Sequence, residues 1–356
     1  MNHMSSLNAE RQAARVLEDL LRGIPRLVIE RLKREEKLDS DVRFDLIADV
    51  TYAGQPVRLV VEVKANGQPR IMRDAAAQLK RDLGKQDSNT IPLVMAPYLS
   101  EQAREACREE GVGYADFIGN IHLAFETIFI DRQVSGRPEP ERRTLRSLFK
   151  PKSARILRVM LREPYRAWRV SELAHVGKVS AGLVSTVGSA LRERGWADQS
   201  SQGLLLTDPN DLLDNWAEEY AAPNAEELRL YTHLHGGKLT ESLRSLAQTK
   251  GRTALFSFSA ADWLAPYVHQ STTYLYADED GLTALRRLLD LKPASKGANI
   301  VIRLPDEDGV LDDCIEPAEG IAVTSPVQTY LDLLQSGERG REGADHLRET
   351  LLKWPR

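Results

Sequence analysis

The sequence predicts an α/β protein of more than one domain, and three observations carry that expectation. Residues 44–64, FDLIADVTYAGQPVRLVVEVK, hold two runs rich in Val, Ile and Leu around a Gly54/Pro56 turn, the pattern of a β-hairpin. From there to residue 132, apolar runs alternate with segments of helical periodicity. Residues 133–141, QVSGRPEPE, then break the pattern with a glycine and two prolines, and short helices follow. Four parts result: a front domain over 1–132, a basic linker over 133–150, a helical domain over 151–208 and a last α/β domain over 209–356.

Composition sets the frame. A chain of 356 residues holds two or three domains, and 42% hydrophobic with 28% charged residues is the balance of a globular protein. No apolar run reaches the ~20 residues that cross a bilayer, and the N-terminus lacks the apolar core of a signal peptide. MNHM, residues 1–4, reads in part as an expression scar. Cys107 and Cys314 are isolated, which fits a reducing cytoplasm and argues against a disulfide framework or a zinc cluster. The net charge of −4 does not by itself point to nucleic acid, but its distribution is uneven. Arg142, Arg143, Arg146, Lys150, Lys152, Arg155, Arg158, Arg162, Arg166 and Arg169 face only Glu139, Glu141 and Glu163, whereas Asp306, Glu307, Asp308, Asp312, Asp313, Glu316 and Glu319 make the C-terminal part acidic. The expectation is a basic face for a phosphate backbone, with the acidic part facing elsewhere.

Along the chain, residues 7–21 read as an amphipathic helix with Ala13, Val16, Leu17, Leu20 and Leu21 on one stripe, ended by Gly23 and Pro25. A charged stretch, ERLKREEKLDSD, leads into the hairpin. On its second strand Val60, Glu62 and Lys64 alternate with Leu59, Val61 and Val63, so Glu62 and Lys64 share a face that Asp45 can meet from the neighbouring strand. Two converging carboxylates suit a hard cation such as Mg2+ or Mn2+, which activates a water and offsets charge on a scissile phosphate, and a lysine beside it orients the water. The same three residue types also form solvated ion-pair clusters worth ~0–1 kcal/mol. The ANGQPR loop follows, with Arg70 and Arg73, then a helix over 71–83, a buried strand over 91–97, a helix capped by Ser100 and stopped by Gly111, and strands in GYADFIGN, IHLAF and TIFIDR. His122 alternates with apolar neighbours and reads as a structural histidine; Asp116 and Asn120 read as turn-stabilising.

These residues resemble the PD-(D/E)XK nuclease superfamily. Asp45 stands at the motif's first acid and Glu62-Val63-Lys64 at its E-x-K, while Phe44 replaces the signature proline. The turn is longer than in compact resolvases, which leaves Asp49 as a rival first acid. Glu10 is placed like the helical glutamate of the Holliday-junction-resolvase branch, and Gln78 like that branch's helical glutamine. The resemblance implies a restriction-endonuclease-like front domain in which Asp45 and Glu62 hold Mg2+ or Mn2+, Glu10 and Gln78 assist, and Lys64 positions the water.

In the helical part, residues 153–161 form a helix with Ile156, Leu157, Met160 and Leu161 inward; Trp168-Arg169-Val170 reads as a short strand and Ser171 as the cap of a second helix. Ser180 caps a third, SAGLVSTVGSALRERG, whose stripe is Leu183, Val184, Val187 and Leu191, leaving Ala181, Ser185, Ser189 and Arg192 outward. Trp196 and residues 204–206 flank SSQG as two wing strands. This resembles the bacterial winged helix-turn-helix, which implies double-stranded DNA as partner, with Lys178, Ser180, Ala181, Ser185, Ser189 and Arg192 at the groove and Arg166 and Arg169 on phosphates. A helical dimerisation module has the same pattern.

Beyond Asp208, helices alternate with strands TALFSF, TTYLYA and NIVIRL. Gly236-Gly237 resembles the opening of nucleotidyltransferases, but no Asp-x-Asp follows, and His233-x-His235 reads as exposed loop. The helical run together with SPVQTYLDLLQ and GREGADHL is similar to the AbiEi family of type IV antitoxins, over about the last two thirds of the chain. That resemblance implies operator binding by the winged helix and an antitoxicity role for the C-terminal part, with a cognate toxin or other protein as partner. Two functions follow for test: a metal-dependent DNA endonuclease fed by a winged helix, or an AbiEi-like transcriptional regulator whose front domain is catalytically silent. A scaffold that binds a protein through its C-terminal domain is a third reading, and a homodimer is the oligomeric guess.

Overall fold

The computed structural model describes residues 6–37, 43–84, 89–125, 128–267, 269–294, 296–307 and 309–355. Asp308 and the scar read over residues 1–4 lie outside them, as does part of the charged stretch before the hairpin. The chain divides into two compact units, residues 1–143 with 191–195, and residues 144–190 with 196–356. Both are mixed α/β.

The first unit begins with α1 (Ser6–Arg22), β1 (Leu27–Lys37), β2 (Arg43–Tyr52) and β3 (Gln55–Val63). It continues through α2 (Pro69–Leu83), β4 (Thr90–Ala96), α3 (Glu101–Glu109), β5 (Gly113–Asp116), β6 (Ile121–Phe125) and β7 (Ile128–Arg132). The seven strands lie in one sheet in chain order. β1, β2 and β3 are antiparallel neighbours, β3, β4 and β5 run parallel because α2 and α3 carry the crossovers, and β6 and β7 return antiparallel. Alternation along the strands supplies two cores. Leu46, Ala48, Val57, Leu59, Val61 and Val63 pack with Ala13, Leu17 and Leu21 of α1; Val60, Val94 and Tyr114 pack with Met72, Leu79 and Ala103 of α2 and α3. Ser100 caps α3 by accepting from the Ala103 N–H at 3.2 Å.

Part of the charged stretch read as a lead-in is strand. β1 pairs with nine residues of β2 around a bulge between Ile29 and Arg31, and Ile29 and Leu32 pack on the α1-side core. A charge-rich edge strand presents little apolar pattern to a reader, and those charges oppose pairing with another chain. Asp116 and Asn120 turn the chain as expected: the Asp116 carboxylate accepts from the N–H groups of Ile118, Gly119 and Asn120. Within the stretch read as linker, α4 (Glu139–Leu148) forms.

In the second unit α5 (Pro151–Arg162), α6 (Val170–Val176) and α7 (Ala181–Glu193) precede a hairpin of β8 (Ala197–Gln199) and β9 (Leu204–Leu206), then α8 (Pro209–Glu218). Trp168 makes one bridge to Leu204 rather than a strand, and α6 is entered through Arg169, with Ser171 inside its first turn and not at the cap. The chain continues as β10 (Ala225–Tyr231), α9 (Gly236–Arg244), β11 (Thr253–Leu255), α10 (Phe258–Leu264), β12 (Thr273–Ala277), α11 (Glu279–Leu288), β13 (Lys292–Pro293) and β14 (Ile300–Pro305). It ends with α12 (Gly309–Asp312), β15 (Cys314–Ala318), β16 (Ile321–Thr324), α13 (Pro326–Leu334) and α14 (Gly337–Leu351). Its sheet runs β13-β10-β14-β12-β11-β16-β15, with β12/β14 and β11/β16 parallel.

Charge joins α5 to this second sheet. Arg158 is 4% exposed; its Nη1 donates to Gln328 Oε1 at 3.0 Å, its Nη2 to Gly309 O at 2.8 Å, and its Nε lies 3.5 Å from Asp313 Oδ2. Arg162 also pairs with Asp313, and Arg155 Nη1 lies 3.3 Å from Asp312 Oδ2. The basic run and the acidic run were expected on different faces. The structure overturns that for Arg155, Arg158 and Arg162, which neutralise Asp312 and Asp313, because charges removed from water require partners. Stranding one partner of a buried pair costs about 3–5 kcal/mol. Arg158→Met is therefore expected to lower the unfolding free energy of this unit by that amount in denaturant titrations, and adding Asp313→Asn to restore part of it; a loss under about 1 kcal/mol would show that the contact is not a stabilising one.

Candidate functional sites

The first candidate is built where β2 and β3 run side by side. The register that pairs Leu46 with Val61 sets Asp45 against Glu62. Asp45 Oδ2 accepts the Val63 N–H at 2.7 Å, and Lys64 Nζ donates to Glu62 Oε1 at 2.5 Å. The Asp45 carboxyl is pushed up to about 6, first by burial and further by the Glu62 and Glu10 carboxylates, against the pull of the Val63 N–H and of Lys64. So Glu62, Glu10 and Lys64 each act on Asp45, and Lys64 also pairs with Glu62. Glu10 is buried on α1 at 9% exposure. Asp49 is ruled by a different partner: it sits opposite Arg58 in the register and accepts from Arg58 Nε at 2.6 Å. Of the two rival acids, Asp45 is the one beside Glu62.

Gln78 lies on the exposed side of α2, where its amide donates to Asp82 Oδ1 at 2.6 Å and accepts from Arg81 at 2.7 Å; its hydrogen bonds run along its own helix. The loop after Lys64 is held by the Asn66 side-chain Oδ1, which accepts the Gln68 N–H at 3.2 Å, and a Cβ at Gly67 would lie 2.0 Å from Tyr98 O, so only glycine fits there. Arg73 pairs with Glu109 at 3.0 Å.

Mg2+ binds through one or two carboxylates and keeps several waters. Asp45 and Glu62 are neighbouring carboxylates across the β2–β3 register, and among the described residues no three His, Cys, Asp or Glu side chains gather to hold an ion. Elsewhere in this unit a cavity of about 440 Å3 opens between α1, the turn after β5, β6 and β7, with Leu20, Ile24, Phe117 and Ile130 in its walls and Asp19 and Arg132 as its charged groups. None of the four interacting residues lines it. His122 lies between Tyr114, stacked at 5.4 Å, and Phe129, edge-on at 5.4 Å, which is the structural placement its sequence context predicts.

The second candidate is the outer face of α7 with its approaches. Ser180 caps the helix, accepting from the Leu183 N–H at 3.2 Å. Ala181, Gly182, Ser185 and Thr186 are exposed, and the two hydroxyls donate back to the carbonyls of Ala181 and Gly182. Ser189 and Arg192, expected outward, are half-buried, so the open face is one turn shorter. Arg169 is exposed. Arg166 lies 3.9 Å over the Trp168 ring and pairs with Glu163 and Glu172. Lys178, in the turn before α7 with φ 51°, donates to Asp312 Oδ1 at 2.6 Å.

Sequence reading missed a third cluster. Asp332, fully buried on α13, accepts from Tyr220 Oη at 2.7 Å, Gln328 Nε2 at 3.0 Å and Tyr276 Oη at 3.3 Å, and Gln328 hands the chain on to Arg158. Burial pushes the Asp332 carboxyl up to about 6. The signal was present: one acid inside the apolar stretch SPVQTYLDLL. No helix among the described residues is long and apolar enough to cross a membrane.

Residues 205–353 match the model of a family described as a transcriptional regulator, AbiEi antitoxin, of a type IV toxin–antitoxin system. The match starts inside β9 and reaches past α14, so it supports the C-terminal part of the AbiEi resemblance and leaves residues 1–204 outside it. No curated protein and no solved structure matches the chain.

The Asp332 carboxyl titrates higher in the folded protein than its ordinary 3.8, so the folded state holds a proton that the unfolded state has already released. Its contribution therefore falls as pH rises from about 4 to about 6 and is flat outside that window. Melting curves of Asp332→Asn and of the unaltered protein should drift apart in favour of the variant across that interval; parallel curves would place the carboxyl's titration elsewhere.

Proposed function

We propose that this protein is a DNA-binding transcriptional regulator of the AbiEi antitoxin kind. The family match over residues 205–353 carries the reading. What precedes the matched region supports it: three helices and the β8–β9 hairpin follow the order of a winged helix-turn-helix. In this reading α7 enters the major groove. Its exposed face is small and hydroxylic, so base readout is modest and phosphate contacts from Arg169 and its neighbours supply most of the affinity. Double-stranded DNA is the partner. A toxin, or the toxin's target, is the partner class for the C-terminal part.

The interacting group of Asp45, Glu62, Lys64 and Glu10 supports a second reading for the front unit, a metal-dependent nuclease site of the PD-(D/E)XK kind. Asp45 and Glu62 would hold Mg2+ or Mn2+, which supplies an activated water and charge neutralisation at a phosphate. Lys64, already on Glu62, is placed to orient that water, and Glu10 adds negative charge at Asp45. The Gln78 amide is engaged along α2, so no role follows from its position.

Mobility shifts on the DNA upstream of the protein's own coding region test the first reading. Binding should weaken with salt. Arg169→Ala should cost about 3–10-fold and lower the salt slope by about 1, and Ser185→Glu, a carboxylate set against phosphates, should cost at least about 10-fold. Affinity untouched by both changes removes α7 from DNA. For the second reading, supercoiled plasmid with Mg2+ or Mn2+ should be nicked by the unaltered chain and not by Glu62→Ala or Lys64→Ala; equal nicking by all three assigns the activity to a contaminant.

A further inference from the structure

Three cations from three separate elements meet at one carboxylate. Arg155 Nη1, from α5, lies 3.3 Å from Asp312 Oδ2. Lys178 Nζ, from the turn before α7, lies 2.6 Å from Asp312 Oδ1, and Arg252 Nη1, just before β11, lies 3.1 Å from the same oxygen. Asp312 ends the four-residue α12, whose first residue gives its carbonyl to the buried Arg158. Asp312 is 15% exposed, whereas Lys178 and Arg252 keep 63% and 41% of their side chains in solvent. A site that gathers three cations on one oxyanion is shaped for any oxyanion of like size, and a phosphodiester oxygen is chemically close to a carboxylate oxygen. The carboxylate is a permanent part of the chain, so the cations cannot form an anion site for an outside ligand unless that ligand competes with Asp312.

We propose that Lys178 and Arg252, the two solvent-reaching cations of this cluster, form a phosphate site for the DNA backbone, and that Asp312, which the inward Arg155 holds in place, is its resident competitor. The proposal rests on the DNA-binding reading and deepens it. Lys178 stands two residues before the Ser180 cap of α7, so a phosphate drawn to it lies beside the helix assigned to the groove. Arg252 brings the C-terminal sheet into the DNA contact, which the winged helix-turn-helix alone does not provide. The competitor lowers affinity for all DNA equally, because it acts on phosphate contacts, and leaves discrimination to the exposed face of α7. Lys178 and Arg252 are partly solvated, and such pairs exchange partners at small cost; Arg252 keeps its second partner, Asp278 Oδ2 at 3.3 Å from its Nε, while its Nη1 is the group shared with Asp312.

The experiment is fluorescence anisotropy of the full-length protein on a 25-base-pair duplex of random sequence over a series of salt concentrations. Asp312→Asn keeps the side-chain shape and removes the charge. It should bind about 3–10-fold tighter than the unaltered protein at fixed salt, with a salt slope steeper by about 1–2, since each cation released to phosphate adds about one unit. Arg252→Gln, far in sequence from the three helices, should bind about 2–5-fold weaker, and more so in the Asp312→Asn background. Thermal melts of each variant report whether it is folded, and Arg252→Gln gives a reading even where Asp312→Asn is not. DNA binding by the unaltered protein with no change in either folded variant overturns the phosphate site and leaves the regulator reading intact. No binding by any of the proteins overturns both.

Discussion

Arg158 sits in a helix whose sequence gives it an outward address, yet its guanidinium is out of water, and two later helices and an aspartate converge on it. A desolvated guanidinium costs several kcal/mol unless its charge and its N–H groups are met. Burial pulls the Arg158 pKa down to about 10, so the group is still charged near neutrality and the compensation must be electrostatic. It comes from three places at once: the Gly309 carbonyl at the start of α12, the Gln328 amide on α13 and the Asp313 carboxylate. Gln328 is in turn fixed by Tyr220 and Asp332. One side chain of α5 thereby sets the positions of two helices packed on a sheet more than a hundred residues later in the chain.

Charges counted along a sequence are not charges available to a ligand. Ten basic residues between 142 and 169 look like a footprint for DNA. Three of them, Arg155, Arg158 and Arg162, are turned inward to Asp312 and Asp313, Arg146 is paired with Glu219 at 3.0 Å, and Arg166 with Glu163 and Glu172. Asp312 and Asp313, from the acidic run near the C-terminus, are the other half of the same contact. Coulomb attraction is several-fold stronger near a protein surface or interior than in bulk water, so opposite runs within one chain tend to find each other before they find solvent. What is left at the surface is a smaller set, with Arg169 at the head of α6 and the half-exposed Lys178 and Arg252 at Asp312.

Local signals were legible and long-range ones were not. The hairpin was announced by Gly54 at φ 88° between alternating runs, and the caps by Ser100 and Ser180, each with a hydroxyl that accepts a helix N–H. These features depend on neighbours within a few residues. β1 was hidden because its residues are charged, and what makes it a strand is its pairing with β2, not its own pattern. Burial of Arg158 and Asp332 was hidden for the same kind of reason: α5 and α13 are covered on more than one side, and a single-stripe reading leaves room for polar residues that tertiary packing then encloses. In the front unit the E-x-K spacing was legible because Glu62 and Lys64 are two residues apart on one strand. The choice between Asp45 and Asp49 needed the cross-strand register, which assigns Asp49 to Arg58 and Asp45 to Glu62.

A unit tied by ion pairs behaves differently from one tied by apolar surface. Apolar burial is indifferent to a polyanion, whereas a carboxylate that holds the half-exposed Lys178 and Arg252 would compete with one for the same cations in the proposed site. Residues 144–190 of the three-helix segment and the sheet region that matches the antitoxin family belong to one compact unit, and ion pairs from Arg155, Arg158, Arg162 and Lys178 to Asp312 and Asp313 join them. In the proposed phosphate site, DNA affinity and the Asp312 contacts would be linked quantities: drawing Asp312 away from Lys178 and Arg252 would strengthen their pull on phosphate, and phosphate bound there would weaken the hold of Asp312 on them by the same free energy. In that reading, a partner that engages Asp312 at the end of α12 would reach the helix proposed to contact DNA by this route without touching it.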